Sequence, residues 1–151
     1  MFSVCGYNRT PPVHPMDLVE VELARVVIQQ KGDQQYIHLR EKGGERSFPI
    51  VIGFNEVEEI NRKLCGIQAP RPMTHDLLGR VIRALGHKIS RVVVSELREG
   101  TFYANLVLAP ADSGPGETLV DCRPSDAIAL AVQAGCPIFV AREVMDLVAQ
   151  E

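Results

Sequence analysis

"TLVDCRPSDAIALAVQAGCPIFVA", residues 118–141, carries more structural information than any other stretch of the chain. Thr118–Cys122 reads as a short strand, and Arg123-Pro124 ends it. "SDAIALAVQAG" then has the pattern of an alanine-rich helix closed by Gly135, and "PIFVA" returns to strand. Ala127, Ala129, Ala131 and Ala134 keep that helix slim, so it can lie close against a sheet. The junction between strand and helix is richer than a cap requires. Asp121, Arg123, Pro124, Ser125 and Asp126 crowd into six positions.

The elements upstream follow from periodicity. "RVVVSELREGTFYANLVLAP" (91–110) reads as a hairpin with Glu99-Gly100 at its turn and Phe102, Ala104, Leu106 and Leu108 on one face. "VEVELARVVIQQ", "QYIHLRE" and "RSFPIVIG" are three further strands, joined by the turns "KGDQ" and "KGGE" into a meander, with Pro49 suited to an edge. "FNEVEEINRKLCG" (54–66) places Phe54, Val57, Ile60 and Leu64 at helical spacing, with Glu58–Arg62 and Glu59–Lys63 as favourable pairs and Gly66 as a left-handed stop. "HDLLGRVIRALG" (75–86) predicts a second helix capped by Thr74, with Leu77, Leu78, Val81, Ile82 and Leu85 as its buried stripe. Arg80 and Arg83 fall off that stripe, toward solvent or a ligand. "REVMDLVAQ" makes a last helix. Strands and helices come in blocks, which predicts an α+β fold. Its antiparallel or mixed sheet is built from the meander, the hairpin and further strands, and packs with about four helices.

A chain of 151 residues is long enough for one domain with a real core, expected over residues 19–151 behind a loosely ordered arm, residues 1–18. Apolar residues make up 46% and charged residues 23%, an ordinary globular balance. No apolar run is long enough to cross a bilayer, and "MFSVCGYNRTPPVHPMD" lacks the pattern of a secretory signal. Cys5, Cys65, Cys122 and Cys136 form no C-x-x-C pair, which argues against a structural zinc site and for reduced thiols in a cytoplasmic protein.

Net charge is −3, against a broadly basic nucleic-acid binder, but its distribution is uneven. Residues 71–98 carry Arg71, Arg80, Arg83, Lys88, Arg91 and Arg98 against only Asp76 and Glu96. Residues 99–151 carry two cations against eight carboxylates. The basic segment can meet phosphates, or it can be a solvated face balanced by its acidic neighbours.

Two corners share one design: "RPMTHDLL" and "RPSDAIAL" each put Arg-Pro before a hydroxyl residue and an aspartate. Thr74 and Ser125 suit the cap, and Asp76 and Asp126 suit the positive end of a helix dipole. Arg71 and Arg123 do not, since a cation at a helix N-terminus is disfavoured unless a carboxylate such as Asp76, Asp121 or Asp126 pairs with it. The alternative is a phosphate site, in which Arg71, Arg80, Arg123 and Ser125 contact the anion and His75 beside Asp76 is a general base. Asp121 and Asp126 could then hold Mg²⁺ or Mn²⁺, which prefer oxygen ligands. His14, His38 and His87 are isolated, and neither a phosphate-binding glycine loop nor a nucleophile elbow is present.

"PIVIGFNEVEEI", "RPMTHDLLGRVIRALG", "GTFYANLVL" and "VDCRPSDAIALAVQAGCPIFV" together resemble the bifunctional nuclease domain family, over roughly residues 20 to 148. Val57 departs from the alanine common in that family. The resemblance implies an α+β domain that forms a homo-oligomer, a dimer being the simplest, with DNase and RNase activity on DNA or RNA. The motif positions it carries over are His75, Asp76, Asp121, Arg123, Ser125 and Asp126. The competing expectation is a non-catalytic oligomeric binding or regulatory module whose Arg-Pro corners are structural locks.

Overall fold

Three strands, β1 (Leu18–Val27), β2 (Gln35–Glu41) and β3 (Ser47–Ile52), form the expected antiparallel meander in the computed structural model, which describes residues 17–29 and 34–149. The arm up to residue 16 and the first loop of the meander lie outside the described residues. β3 is the sheet's edge, and Pro49 sits on it opposite His38, where a missing N–H can be tolerated. Helices α1 (Phe54–Leu64) and α2 (Thr74–Ala84) follow, then the hairpin of β4 (His87–Arg98) and β5 (Thr101–Pro110). Glu99 and Gly100 both take positive φ, 49° and 77°, as a two-residue hairpin turn demands. β4 starts at His87, four residues before the expected Arg91, because it pairs with β5 back to Pro110.

β6 (Thr118–Cys122), α3 (Pro124–Ala134), β7 (Ile138–Ala141) and α4 (Arg142–Val148) complete the chain. β7 inserts between β1 and β4, antiparallel to the first and parallel to the second, giving one mixed sheet of order β3-β2-β1-β7-β4-β5-β6. Residues 118–141 thereby join what would otherwise be two separate antiparallel pieces.

The core lies on one sheet face. Val19, Val21, Ile37, Leu39, Val92, Val94, Ala104 and Leu106 meet Ile60 of α1, Ala127–Ala131 of α3, and Val144 and Met145 of α4. Ile128 and Leu130 are fully buried, each contributing about 1.5–3 kcal/mol through removal from water. The meander's opposite face is polar, crossed by the exposed pairs Arg40–Glu22 and Lys42–Glu20.

α2 departs from expectation. Of the five residues expected on its buried stripe only Ile82 is buried; Leu77, Leu78, Val81 and the capping Leu85 are between 38% and 73% exposed. At about 100° per residue, three stripes separate on this helix. His75 and Gly79 meet α3, where His75 contacts Asp126 and Gly79 abuts Gln133, and the buried Ile82 shares their stripe. Asp76, Arg80 and Arg83 line a cleft. The remaining apolar stripe points away from both. α1 likewise buries only Val57 and Ile60, leaving Phe54 and Leu64 about half exposed.

Candidate functional site

The starts of α1, α2 and α3 each carry an acid at the third helical position: Glu56, Asp76 and Asp126. Neither Thr74 nor Ser125 is the cap. The capping residues are Met73 and Arg123, which puts Thr74 and Ser125 one and two residues inside their helices, and no side-chain cap bond is made at Arg123. At α2 the free N–H of Met73 donates instead to Asp76 Oδ2 at 2.9 Å. The two corners are therefore alike in their aspartates but offset in their arginines: Arg123 is itself the capping residue, whereas Arg71 lies two residues ahead of Met73.

That offset separates their fates. Arg123 grips Asp126 with two nitrogens, Nε to Oδ2 at 2.9 Å and Nη2 to Oδ1 at 3.0 Å, and reaches Glu56 Oε1 with Nη1 at 3.0 Å. These carboxylates, Asp126 first, push the guanidinium pKa further up and offset its position at the helix's positive end. Asp121 is not part of the lock; it is exposed on β6 opposite Asn105. Ser125 is buried.

Asp126 also meets His75, whose Nε2 lies 3.0 Å from Oδ1. His75, then Arg123, hold the Asp126 carboxyl well below the ordinary range, against burial that pushes the other way. Nδ1 of His75 lies 3.9 Å from Glu59 Oε1, beyond hydrogen-bonding distance. Glu59 takes Arg62 in a second two-pronged pair, at 3.0 and 2.8 Å. Arg62 goes on to Asp76 Oδ2 at 3.2 Å and donates to the carbonyl of Ile67 at 2.8 Å, while Lys63 also contacts Asp76. Lys63, then the Met73 N–H, lower the Asp76 pKa to about 2. An array of ionic side chains thus crosses three helices in two parts, Glu56–Arg123–Asp126–His75 and Glu59–Arg62–Asp76–Lys63, which approach to 3.9 Å between His75 and Glu59.

Beyond it opens a cleft of about 420 Å³ between the end of α1, the linker 66–72, α2 and the last turn of α3. Arg62, Lys63, Arg71, Arg80 and Arg83 line it, against one carboxylate, Asp76. Because the ion pairs of Asp76 go to Arg62 and Lys63, the other three arginines have no ion-pair partner among the described residues. At the back, Gln133 Nε2 donates to the carbonyl of His75 at 3.2 Å, and its Oε1 is buried without a partner among the described residues. Gly79 makes room for that amide: a Cβ there would stand 2.5 Å from Nε2.

The structure brings His75 and Asp126 into contact, and Asp76, Arg71 and Arg80 into one cleft. It leaves His75, Asp121, Arg123, Ser125 and Asp126 off the lining of that cleft. A divalent cation needs carboxylate oxygens free to coordinate it, but those of Asp126 face Arg123 and His75. Among the described residues no group of three or more His, Cys, Asp or Glu is arranged to hold a metal, so Asp121 and Asp126 do not fit Mg²⁺ or Mn²⁺. The site expected from sequence lacked Glu56, Glu59, Arg62, Lys63, Arg83 and Gln133. Arg83 had a legible signal, since Asp76, Arg80 and Arg83 recur at one-face helical spacing.

Comparison with known proteins decides the family: the bifunctional nuclease domain model matches residues 37–151. The chain belongs to the bifunctional nuclease domain family. An uncharacterized protein of Mycobacterium tuberculosis (strain ATCC 25618 / H37Rv) is 39% identical over 126 residues, covering 83% of this chain and 73% of that one. Bifunctional nuclease 1 of Oryza sativa subsp. japonica is 26% identical over 104 residues, 69% of this chain and 31% of the rice protein. Bifunctional nuclease 2 from the same subspecies is 27% identical over 116 residues, 76% and 36% of the two chains. This bifunctional nuclease domain therefore spans about a third of each rice protein, and among its described residues no helix is long and apolar enough to cross a membrane.

Proposed function

We propose that the chain is a nuclease that hydrolyses phosphodiester bonds in DNA or RNA with little sequence preference. The observation that carries this reading is the cleft in which Arg71, Arg80 and Arg83 have no ion-pair partner among the described residues, in a chain whose net charge is −3. Unneutralised cations converging on a concavity attract phosphates and stabilise charge that develops as a P–O bond breaks. Glu59 and Asp76 hold Arg62 and Lys63 in place behind them, so these two add field without moving. Asp76, with its pKa near 2, serves as an anchor and not as a base.

Hydrolysis must also move a proton from water to the leaving oxygen. His75, next to the cleft-lining Asp76 but itself turned toward α3, is the candidate: Asp126 fixes Nε2, and among the described residues Nδ1 has no hydrogen bond. Family membership and the names of the rice relatives support the same chemistry. The three described cysteines are unpaired, in keeping with a cytoplasmic setting. Purified protein, assayed with and without added divalent cations, is expected to cut single-stranded DNA, duplex DNA or RNA, and His75→Ala to lose about 100-fold or more in rate. Undiminished His75→Ala activity would remove the proton-transfer role.

The exposed stripe Leu77, Leu78, Val81 and Leu85 favours a second reading, an oligomeric module that buries α2 against another copy. The two readings are compatible, because the apolar and cationic stripes occupy different faces of α2.

A further inference from the structure

We infer that the cleft receives a phosphorylated end of a nucleic-acid strand, so that cleavage proceeds inward from that end. This deepens the nuclease reading and rests on it. A strand's end and its interior differ in charge. An internal diester carries one negative charge, whereas a terminal phosphate carries about −1.5 to −2 at pH 7 and offers three acceptor oxygens.

The charges that line the cleft divide into two sets. Arg62 and Lys63 each pair with both Glu59 and Asp76, two cations against two carboxylates. Arg71, Arg80 and Arg83 stand outside that balance, exposed and without an ion-pair partner among the described residues. Three positive charges are therefore left over in a cleft of about 420 Å³. One diester neutralises one of them. A terminal phosphate with its neighbouring diester brings about −2.5 to −3, which matches all three. The oxygens match as well, since a monoester has enough of them to take two-pronged bonds from more than one guanidinium. Arg80 and Arg83 reach the cleft from α2 and Arg71 from the linker. Val132 and Gln133 of α3 form the back wall, which suits a strand that stops in the cleft over one that runs on through it.

Hydrolysis at the first diester inward joins the hydroxyl of water to phosphorus and breaks the P–O bond to the terminal nucleoside. The remaining water proton goes to the departing sugar oxygen. A mononucleotide leaves and the phosphate stays on the shortened strand. The new end is again a phosphomonoester, ready for the same cleft.

The test measures kcat/KM from initial rates on four forms of one internally labelled DNA strand: hydroxyl at both ends, phosphate at the 5′ end, phosphate at the 3′ end, and the strand closed into a circle. One of the phosphorylated forms should be cut about tenfold or more faster than the hydroxyl form, equivalent to about 1.4 kcal/mol, and should release mononucleotides. The circle should resist. The preference should shrink as pH falls from 7.5 to 5.5, because the end phosphate takes up a second proton near about pH 6. Effects of pH on the protein are shared by both linear forms and cancel in the ratio. Arg80→Gln should cost the phosphorylated form more than the hydroxyl form, since the charge and the end phosphate are coupled. Phosphorylated strands cut no faster than the hydroxyl form, or a circle cut as fast as either, overturn the end-specific reading while the nuclease reading stands. A preference that neither pH nor Arg80→Gln alters places the end phosphate elsewhere and overturns it too. No cleavage of any form by clean, folded protein overturns both readings.

Discussion

Replacing Asp126 with asparagine probes the ionic array at the start of α3. The substitution keeps size and helix-start geometry but removes the charge that Arg123 and His75 both face. A charge-assisted hydrogen bond contributes about 1.5–3 kcal/mol when shielded. The His75 contact fits that class, since the side chains are 17% and 24% exposed. The Arg123 pair must be discounted to below about 1 kcal/mol, because the guanidinium is 62% exposed. Asparagine still accepts one bond, so the expected net loss is about 2 kcal/mol, or about 4–8 °C in Tm for a domain of this size. The pH dependence gives the sharper signature. Because the Asp126 pKa is depressed in the folded state, its contribution is complete above the unfolded value near 4 and declines as pH falls toward the folded value. Between pH 4 and pH 3 the wild-type advantage should shrink by about 1 kcal/mol. Urea unfolding followed by circular dichroism at pH 7, 4 and 3 measures it. Equal stabilities at pH 7, or a gap unchanged down to pH 3, would refute the electrostatic account of this junction.

Gly79→Ala should gain less than the roughly 1 kcal/mol expected from helix propensity, because the new Cβ displaces Gln133 from the His75 carbonyl. In a Gln133→Ala background the same change should yield the full gain, a difference readable by thermal melts of the four proteins. Leu85→Glu, at a residue 73% exposed, should alter monomer stability by less than about 0.5 kcal/mol yet convert any oligomer to monomer in light scattering. In a Cys5→Ser background Cys65, exposed, should react with a disulfide reagent well before Cys122, whose pKa burial and nearby carboxylates push up to about 12.

Most of the fold was legible because each strand and helix carries its own period and its own stop. The hairpin turn at Glu99-Gly100 and the left-handed Gly135 follow from local chemistry alone. The placement of β7 between β1 and β4 was not, since "PIFVA" says strand without saying which neighbours it will find. The α2 stripe misled for a related reason: periodicity reports an apolar face, not what covers it, and here Gly79 faces Gln133 of α3 while only Ile82 of the apolar residues is buried. In α1 the expected pair Glu58–Arg62 gave way to Glu59–Arg62, because Arg62 must also reach Asp76 and the Ile67 carbonyl from α2 and the linker. The two Arg-Pro corners looked equivalent as strings. Their different offsets from the helix start turned one arginine into a lock and left the other in the cleft.

The central claim of the proposed function is that Arg71, Arg80 and Arg83 of the α1–α2 cleft, without ion-pair partners among the described residues, hold the phosphodiester that is hydrolysed. It is tested most directly by kcat/KM for cleavage of a labelled oligonucleotide by wild type and by the Arg71→Gln, Arg80→Gln, Arg83→Gln triple variant, with folding of both checked by circular dichroism. The account predicts cleavage by wild type and a loss of about 100-fold or more in the triple variant, about 1 kcal/mol per contact removed. A folded triple variant that cuts as fast as wild type, or a clean wild-type protein that cuts nothing, would contradict it.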